Sequence, residues 1–235
     1  MATRIEENRR ALDSRPALRR WFSPAVRGLE QVTRTAIGQH AAGASIDVGC
    51  GSMPYRNDLE AAATSYAALD IEARAGGLDY QCSVTDMAPV ADAAYDTALC
   101  SEVLEHVAEP DVAVAELSRI LSDDGHLIVT VPFLARLHEE PHDFQRFTEH
   151  GLRRLLTDGG FDVVEIERTG SVASFLGHQV STATVGPFLH VPILGRIVWA
   201  LNAVFVVAPA RLVDRLLGPL GRKLPLGYVA VAVKR

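Results

Sequence analysis

The spacing of apolar residues changes along the chain, and each change predicts an element. From residue 44 onward short apolar runs recur at 45–48, 66–70, 79–82, 96–101 and 125–131. Runs of this length, bounded by Gly, Pro and Asp, read as strands. Helical spacing falls between several of them, most clearly over 111–121, where the following Ser-Asp-Asp-Gly makes Gly125 the expected C-terminal stop. Residues 148–158 read as a further helix, capped by Thr148 and stopped by Gly159 and Gly160. Residues 161–168 and 227–233 alternate again as strands. At the start, Pro16 and the Ser23-Pro24 pair divide a helical stretch into helices over 3–15 and 24–40. Strands alternating with helices predict an α/β fold whose parallel sheet is covered on both faces.

Residues 169–226 interrupt this alternation with a segment rich in Gly, Pro and apolar side chains. Its greasiest part, "IVWALNAVFVVA" over 197–208, is bounded by Arg196 and Pro209 and falls short of the roughly 20 residues a bilayer crossing needs. The expectation is helices that cap one end of the sheet or pair with a second copy in a homodimer. A peripheral contact with lipid through 190–220 is the sharper alternative.

Composition narrows the class. Hydrophobic residues make up 48% and charged residues 22% of the 235, as in folded proteins rather than disordered ones. A net charge of -6 argues against a nucleic-acid partner. Arg4, Arg9, Arg10, Arg15, Arg19 and Arg20 crowd the N-terminus, but Glu6, Glu7 and Asp13 interleave with them, as on a solvated helix face. Cys50, Cys82 and Cys100 form neither a disulfide framework nor a metal spacing. With no basic-then-apolar start, a cytoplasmic location is expected, membrane association remaining open.

Four stretches carry candidate chemistry. In "IDVGCGSMPY", Gly49 and Gly51 follow a strand and let backbone approach a ligand. Pro54 stands where a dinucleotide fingerprint would have its third glycine, and Asp47 suits a ligand with an ammonium group. In "YAALDIE", Asp70 ends the second strand, where a carboxylate can take both hydroxyls of a ribose. In "SEVLEHV", Glu102, Glu105 and His106 share one face if the turn is helical, and would suit a divalent cation. In "RLHEEPHDFQRFT", His138, Glu139, Glu140, His142 and Asp143 crowd a loop that Phe144 and Phe147 would anchor. His142 is the first choice of general base and His138 the second, with His142 the alternative fourth metal ligand. Arg146 could grip an anionic substrate or pair with Asp143 or Glu149. His178 and His190 lie in the apolar insertion and read as structural.

Together with "SVTDMAPVADAAYDTALCSEVLEHV", "ELSRILSDDGHLIVTVPF" and Gly160-Phe161, these stretches resemble the successive motifs of class I S-adenosylmethionine-dependent methyltransferases. The resemblance covers 44–168 and the last strand. It implies a Rossmann-like seven-stranded sheet, mostly parallel with the last strand antiparallel, and helices on both faces. The whole of 1–235 would form a single domain: N-terminal helices over 1–43, a cofactor-binding core over 44–168, a helical lid or dimerisation insertion over 169–226, and the last strand over 227–235. By resemblance Asp47, Gly49, Cys50 and Gly51 line the methionine half of S-adenosylmethionine, with Tyr55 or Arg56 in reach of its carboxylate. Asp70 takes the ribose, Ile71 and Met87 flank the adenine, Asp86 accepts its amino group, and Ser101 lies near the sulfonium. An E-x-x-E-H group like Glu102, Glu105 and His106 holds Mg²⁺ in some enzymes that methylate vicinal hydroxyls.

The loop at 136–148 resembles the H-x-x-P-x-D-x-x-R-F-T signature of bacterial methyltransferases often associated with glycan assembly, here His138, Pro141, Asp143, Arg146, Phe147 and Thr148. The expected function is therefore O-methylation of a small-molecule or oligosaccharide acceptor, foremost a sugar or glycan precursor. A quinone-like, polyketide-like or lipid acceptor is the alternative, and a non-catalytic cofactor-binding regulator or scaffold is the alternative of another class.

Overall fold

The computed structural model describes residues 24–74, 76–185, 188, 191–221 and 223–235. The helix expected over 3–15, its arginines and His190 lie outside the described residues. In chain order the elements are α1 (Pro24–His40), β1 (Ala44–Val48), α2 (Arg56–Ala62), β2 (Ser65–Asp70), β3 (Tyr80–Gln81), β4 (Tyr95–Ser101), a 3-10 turn (Leu104–His106), α3 (Pro110–Ile120), β5 (Leu121–Pro132), α4 (Glu149–Asp158), β6 (Phe161–Thr169), α5 (Val172–Val185), α6 (Pro192–Asn202), a π turn (Ala203–Val207), α7 (Ala208–Gly221) and β7 (Gly227–Lys234). They fall into two compact units. Among the described residues, one is Gln31–Glu167 with Gly227–Arg235, and the other holds Arg168–Leu226 and residues 24–30.

The first unit is built on a seven-stranded sheet of order β3-β2-β1-β4-β5-β7-β6. β1 pairs in parallel with β2 and β4, β4 with β5, and β2 with β3, while β7 runs antiparallel to β5 with Thr130 opposite Val229. This is the mostly parallel sheet with one reversed strand expected from the sequence. Its central strands bury side chains on both faces, so Ile46 and Val48, Ala98 and Cys100, and Leu127 and Val129 share one core with Leu117 and Ile120 of α3. A parallel sheet cannot be closed by hairpins. Its strands therefore empty into turns along one carboxyl edge, where Asp47, Asp70 and Ser101 stand at or next to strand ends.

Local chemistry explains the boundaries. The Thr148 hydroxyl accepts from the Gly151 N–H at 3.1 Å and starts α4, and Gly159 follows its last residue. The expected stop at Gly125 is corrected: α3 ends at Ile120, Leu121 is already extended, and Gly125 lies inside β5. A Cβ there would meet the Ser122 carbonyl oxygen at 2.7 Å, so this glycine serves a close backbone approach within the strand.

The second unit is helical. The Ser171 and Ser174 hydroxyls both donate to the Asp214 carboxylate, fastening the start of α5 to α7. The most apolar stretch ends at Pro209 but the helix does not: it passes through from Pro192 to Leu217 and breaks at Gly218, whose φ is 49°. Proline lacks an N–H and crowds the carbonyl four residues earlier, here that of Phe205. The π turn at Ala203–Val207 widens the helix just before it and relieves that crowding.

Replacing Thr148 by Ala removes the cap and should lower unfolding free energy by about 1 kcal/mol in urea titrations, while Thr148→Ser should stay within a few tenths.

Candidate functional site

The site is assembled from two turns at the carboxyl edge of the sheet. Leaving β1, Gly49 and Gly51 take positive φ of 71° and 53°. The Gly49 and Cys50 N–H groups donate to the Leu69 carbonyl at 2.8 and 3.1 Å, which ties this turn to β2. Asp70 is buried at the end of β2, and its two carboxylate oxygens accept from the Gly51 N–H at 2.8 Å and the Glu72 N–H at 3.0 Å. A Cβ on Gly49 would fall 2.4 Å from Cγ2 of Val103, so the turn after β4 packs directly on the turn after β1.

Asp47 is almost wholly buried at the end of β1. Burial lifts its carboxyl pKa to about 7; the Tyr66 hydroxyl, 3.5 Å away, pulls it down and the Asp70 charge adds to the rise. Tyr66 was not among the expected site residues, and Arg56 lies over its ring at 5.3 Å. The same burial, with the charges of Asp47 and Asp70, pushes the Cys50 thiol up to about 12, so it is a packing group rather than a nucleophile.

The structure separates the adenine-side candidates. Ile71 is 64% exposed and Asp86 is exposed, both open to a ligand. Met87, expected to stack, is fully buried in the core, and its N–H donates to Glu116 at 2.7 Å. Arg119 holds that loop through the Met87 and Val90 carbonyls and Asp92. Tyr55, expected to reach a carboxylate, is also buried, beneath the Arg34 guanidinium.

After β4 the expected helical face is not formed. Glu102 has a positive φ of 56°, and its N–H donates to the carbonyl and hydroxyl of Thr130, both at 3.0 Å. Ser101 meets the same Thr130 hydroxyl at 2.9 Å. Glu105 and His106 follow in a tight 3-10 turn that begins only at Leu104, and Glu102, with its left-handed backbone, lies outside it. His138 joins them instead: one ligand atom each from Glu105, His106 and His138 lie within 4.8 Å of one another.

The chemistry of this trio is unbalanced. Glu105 is fully buried, and neither of its carboxylate oxygens has a hydrogen-bond partner. Burial, then the nearby Glu102 charge, raises its pKa well above the carboxylate range. Nε2 of His106 and Nε2 of His138 point at its Oε1 from 3.7 and 4.0 Å. Nδ1 of His106 lies 2.9 Å from the His142 carbonyl oxygen, which accepts only, so Nδ1 carries the proton. Nδ1 of His138 likewise faces the Arg136 carbonyl at 3.2 Å and Asp143 at 3.4 Å, with the Arg146 guanidinium at 3.5 Å. Two imidazole lone pairs thus converge on an unsatisfied carboxyl. Burial and the His106 ring lower the pKa of His138, which keeps it neutral.

The loop over 136–148 serves this cluster. Arg146 grips Asp143 through both oxygens at 2.5 and 2.7 Å, and Asp143 in turn accepts from the His138 N–H at 2.9 Å. The Arg146 guanidinium holds the Asp143 carboxyl well below its ordinary range. Phe147 is buried, but Phe144 is 49% exposed, and it is its N–H, donating to the Glu105 carbonyl at 2.9 Å, that fixes the loop. His142 is exposed and enters the cluster only through its backbone carbonyl.

The uncompensated carboxyl sets a test. A raised folded pKa means that Glu105 costs stability as pH rises from the ordinary carboxylate range through its folded value. In chelator-treated protein Glu105→Gln should therefore flatten the fall in stability between pH 5 and pH 8 in urea titrations. An identical fall would mean that Glu105 is not held in an unfavourable charged state.

Comparison with known proteins places this geometry. A methyltransferase domain model matches residues 46–129. The chain is 32% identical over 163 residues to the ubiquinone biosynthesis O-methyltransferase of Xanthomonas oryzae pv. oryzae (strain PXO99A), covering 63% of this chain and 66% of that protein. The chain thus spans slightly under two thirds of the length of the curated relatives it matches, 64% for that of Neisseria meningitidis serogroup A. Among solved structures, 1,6-didemethyltoxoflavin-N1-methyltransferase of Burkholderia thailandensis, with bound S-adenosylhomocysteine, superposes with a TM-score of 0.53 at 18% identity, over 90% of this chain and 79% of that one. An S-adenosylmethionine-dependent methyltransferase of Mesorhizobium loti gives 0.55 at 16% identity, over 87% and 97%.

Proposed function

We propose that this chain, a class I S-adenosylmethionine-dependent methyltransferase, carries a methyl group from that cofactor to a hydroxyl of an apolar, quinol-like acceptor. The observation that carries the reading is the Glu105–His106–His138 cluster, whose first two members lie on the turn that abuts the glycine turn of β1. It sets proton- and cation-binding groups beside the backbone cradle. The names of the relatives favour a quinol-like acceptor, and nothing in them supports the sugar expected from the loop signature.

In this reading Asp47 faces the cofactor ammonium, the backbone of Gly49 to Gly51 borders its methionine half, and Asp70 uses its remaining lone pairs on the ribose. Asp86 and Ile71 border the adenine, and Ser101, fixed by Thr130, stands near the sulfonium. Transfer needs the nucleophile, methyl carbon and sulfur in line, so positioning supplies most of the acceleration. His138 takes the place of His142, being neutral and aimed inward: its Nε2 is a base where no ion is bound and a ligand where one is. One carboxylate and two imidazoles, each imidazole held at Nδ1, would fit Zn²⁺, Mn²⁺ or Fe²⁺ better than the Mg²⁺ expected from the sequence. When bound, such an ion would polarise an acceptor hydroxyl.

A methyl-donor assay across catechols, quinols and free sugars tests the acceptor, and turnover confined to sugars would overturn it. His138→Ala should lower kcat about 100-fold, while His142→Ala should stay within roughly threefold. Chelation should abolish turnover and added Mn²⁺ or Zn²⁺ restore it; chelator-insensitive turnover removes the metal.

The Asp47 assignment has its own pH signature. Below about 7 Asp47 is protonated in the free protein, so a bound ammonium must displace that proton. Cofactor affinity measured by calorimetry should therefore rise with pH and level off above about 7, being up to about 30-fold weaker at pH 5.5. Asp47→Asn should flatten the profile; a flat profile in the unaltered protein would move the ammonium elsewhere.

A further inference from the structure

The helical run from Pro192 to Leu217 carries a pattern that methyl transfer does not use. Its stretch from Ile193 to Gly218 is long and apolar enough to cross a membrane, yet only 17% of its most apolar part is buried inside the protein. The exposure is ordered. Ile193, Ile197, Leu201 and Phe205 recur every fourth residue, as do Leu212 and Leu216 beyond the π turn, and all are more than half exposed. A straight α-helix would wind such a row around its axis. The wider turn at Ala203–Val207 sets the later residues back, so the two rows form one stripe about 35 Å long. The opposite side, with Asn202, Val207 and Ala210, is buried.

Charge is sorted in the same way. Between Thr169 and Leu226 the sequence holds five basic residues, Arg196, Arg211, Arg215, Arg222 and Lys223, and one acid, Asp214. Asp214 is turned inward onto Ser171 and Ser174. Helical periodicity puts Arg196, Arg211 and Arg215 along one border of the stripe. Arg196 and Arg215 are exposed, whereas Arg211 is half-buried beside Arg27 and Arg215, with its Nη2 buried and unpartnered, so its charge adds to the field of the border from beneath.

We propose that this run lies on the surface of an anionic phospholipid bilayer, with its apolar stripe among the acyl chains and its arginine border against the phosphates. An apolar stripe edged with cations is the composition of a helix that lies in a membrane interface. Spanning is disfavoured: the uncharged stretch from Ile197 to Ala210 reaches about 21 Å, against about 30 Å of hydrocarbon. A second copy of the same surface is a poorer occupant, since it brings more arginines and no outward carboxylate to meet them. The proposal is independent of the transfer chemistry, because docking is read without cofactor or acceptor.

The experiment is flotation of the full chain with vesicles of phosphatidylcholine alone or with one third phosphatidylglycerol. The chain should float with the anionic vesicles, release as NaCl rises from 0.05 to 0.5 M, and wash off at alkaline pH. Arg211→Gln with Arg215→Gln should weaken binding about 30-fold, and Phe205→Ser with Leu216→Ser should abolish it, with cofactor affinity unchanged in both. No flotation with either vesicle overturns the proposal. So does resistance to alkaline extraction, which would mean insertion, or a dimer in solution that the Phe205→Ser and Leu216→Ser changes dissolve.

Discussion

The site depends on the close approach of two turns. Gly49 leaves β1 with no room for a Cβ because Val103, in the turn after β4, already occupies that space. The contact brings a strip of bare backbone and a cluster of titratable groups side by side, though they come from segments about fifty residues apart. It exists because β1 and β4 are parallel neighbours, so both empty at the same edge. Any side chain at Gly49 would push the cradle and the cluster apart together.

Burial then sets the electrostatics. Asp47 and Glu105 are both taken from water with less compensation than a carboxylate needs, and both respond with raised pKa values. Asp143 is the contrast: it is equally hidden from solvent, but the bidentate Arg146 fork and the His138 N–H satisfy it and keep it ionised. The satisfied acid is the one that orients the loop. Glu105 has no hydrogen-bond partner at either oxygen and Asp47 has only the long Tyr66 contact, so both are left where a partner would stabilise the charged form.

Much of the fold was legible because burial on both faces of a parallel sheet leaves apolar runs, and because Thr148 and the left-handed Gly160 mark helix ends by their own chemistry. What the sequence misplaced depended on distances it does not encode. Glu102 and Glu105 share a helical face only if the helix already includes Glu102, and here it begins at Leu104 after a residue of positive φ. His142 and His138 look equivalent in the loop, but the chain reversal turns one outward and one onto Glu105. Met87 and Tyr55 look like ligand contacts in a motif, yet each fills core volume. The helix continues through Pro209 because a π turn absorbs the strain upstream, and periodicity does not foretell a π turn.

The strand order has a consequence for biosynthesis. β7 lies between β5 and β6, but α5 to α7 are made before it. As the chain emerges from the ribosome, β5 and β6 must therefore wait with a gap between them, and the edge of β5 that later meets β7 stays unpaired. The most apolar helices emerge during that wait. A nascent chain that parked them on a surface would keep them from the open edge of the sheet until the missing strand arrived to close it.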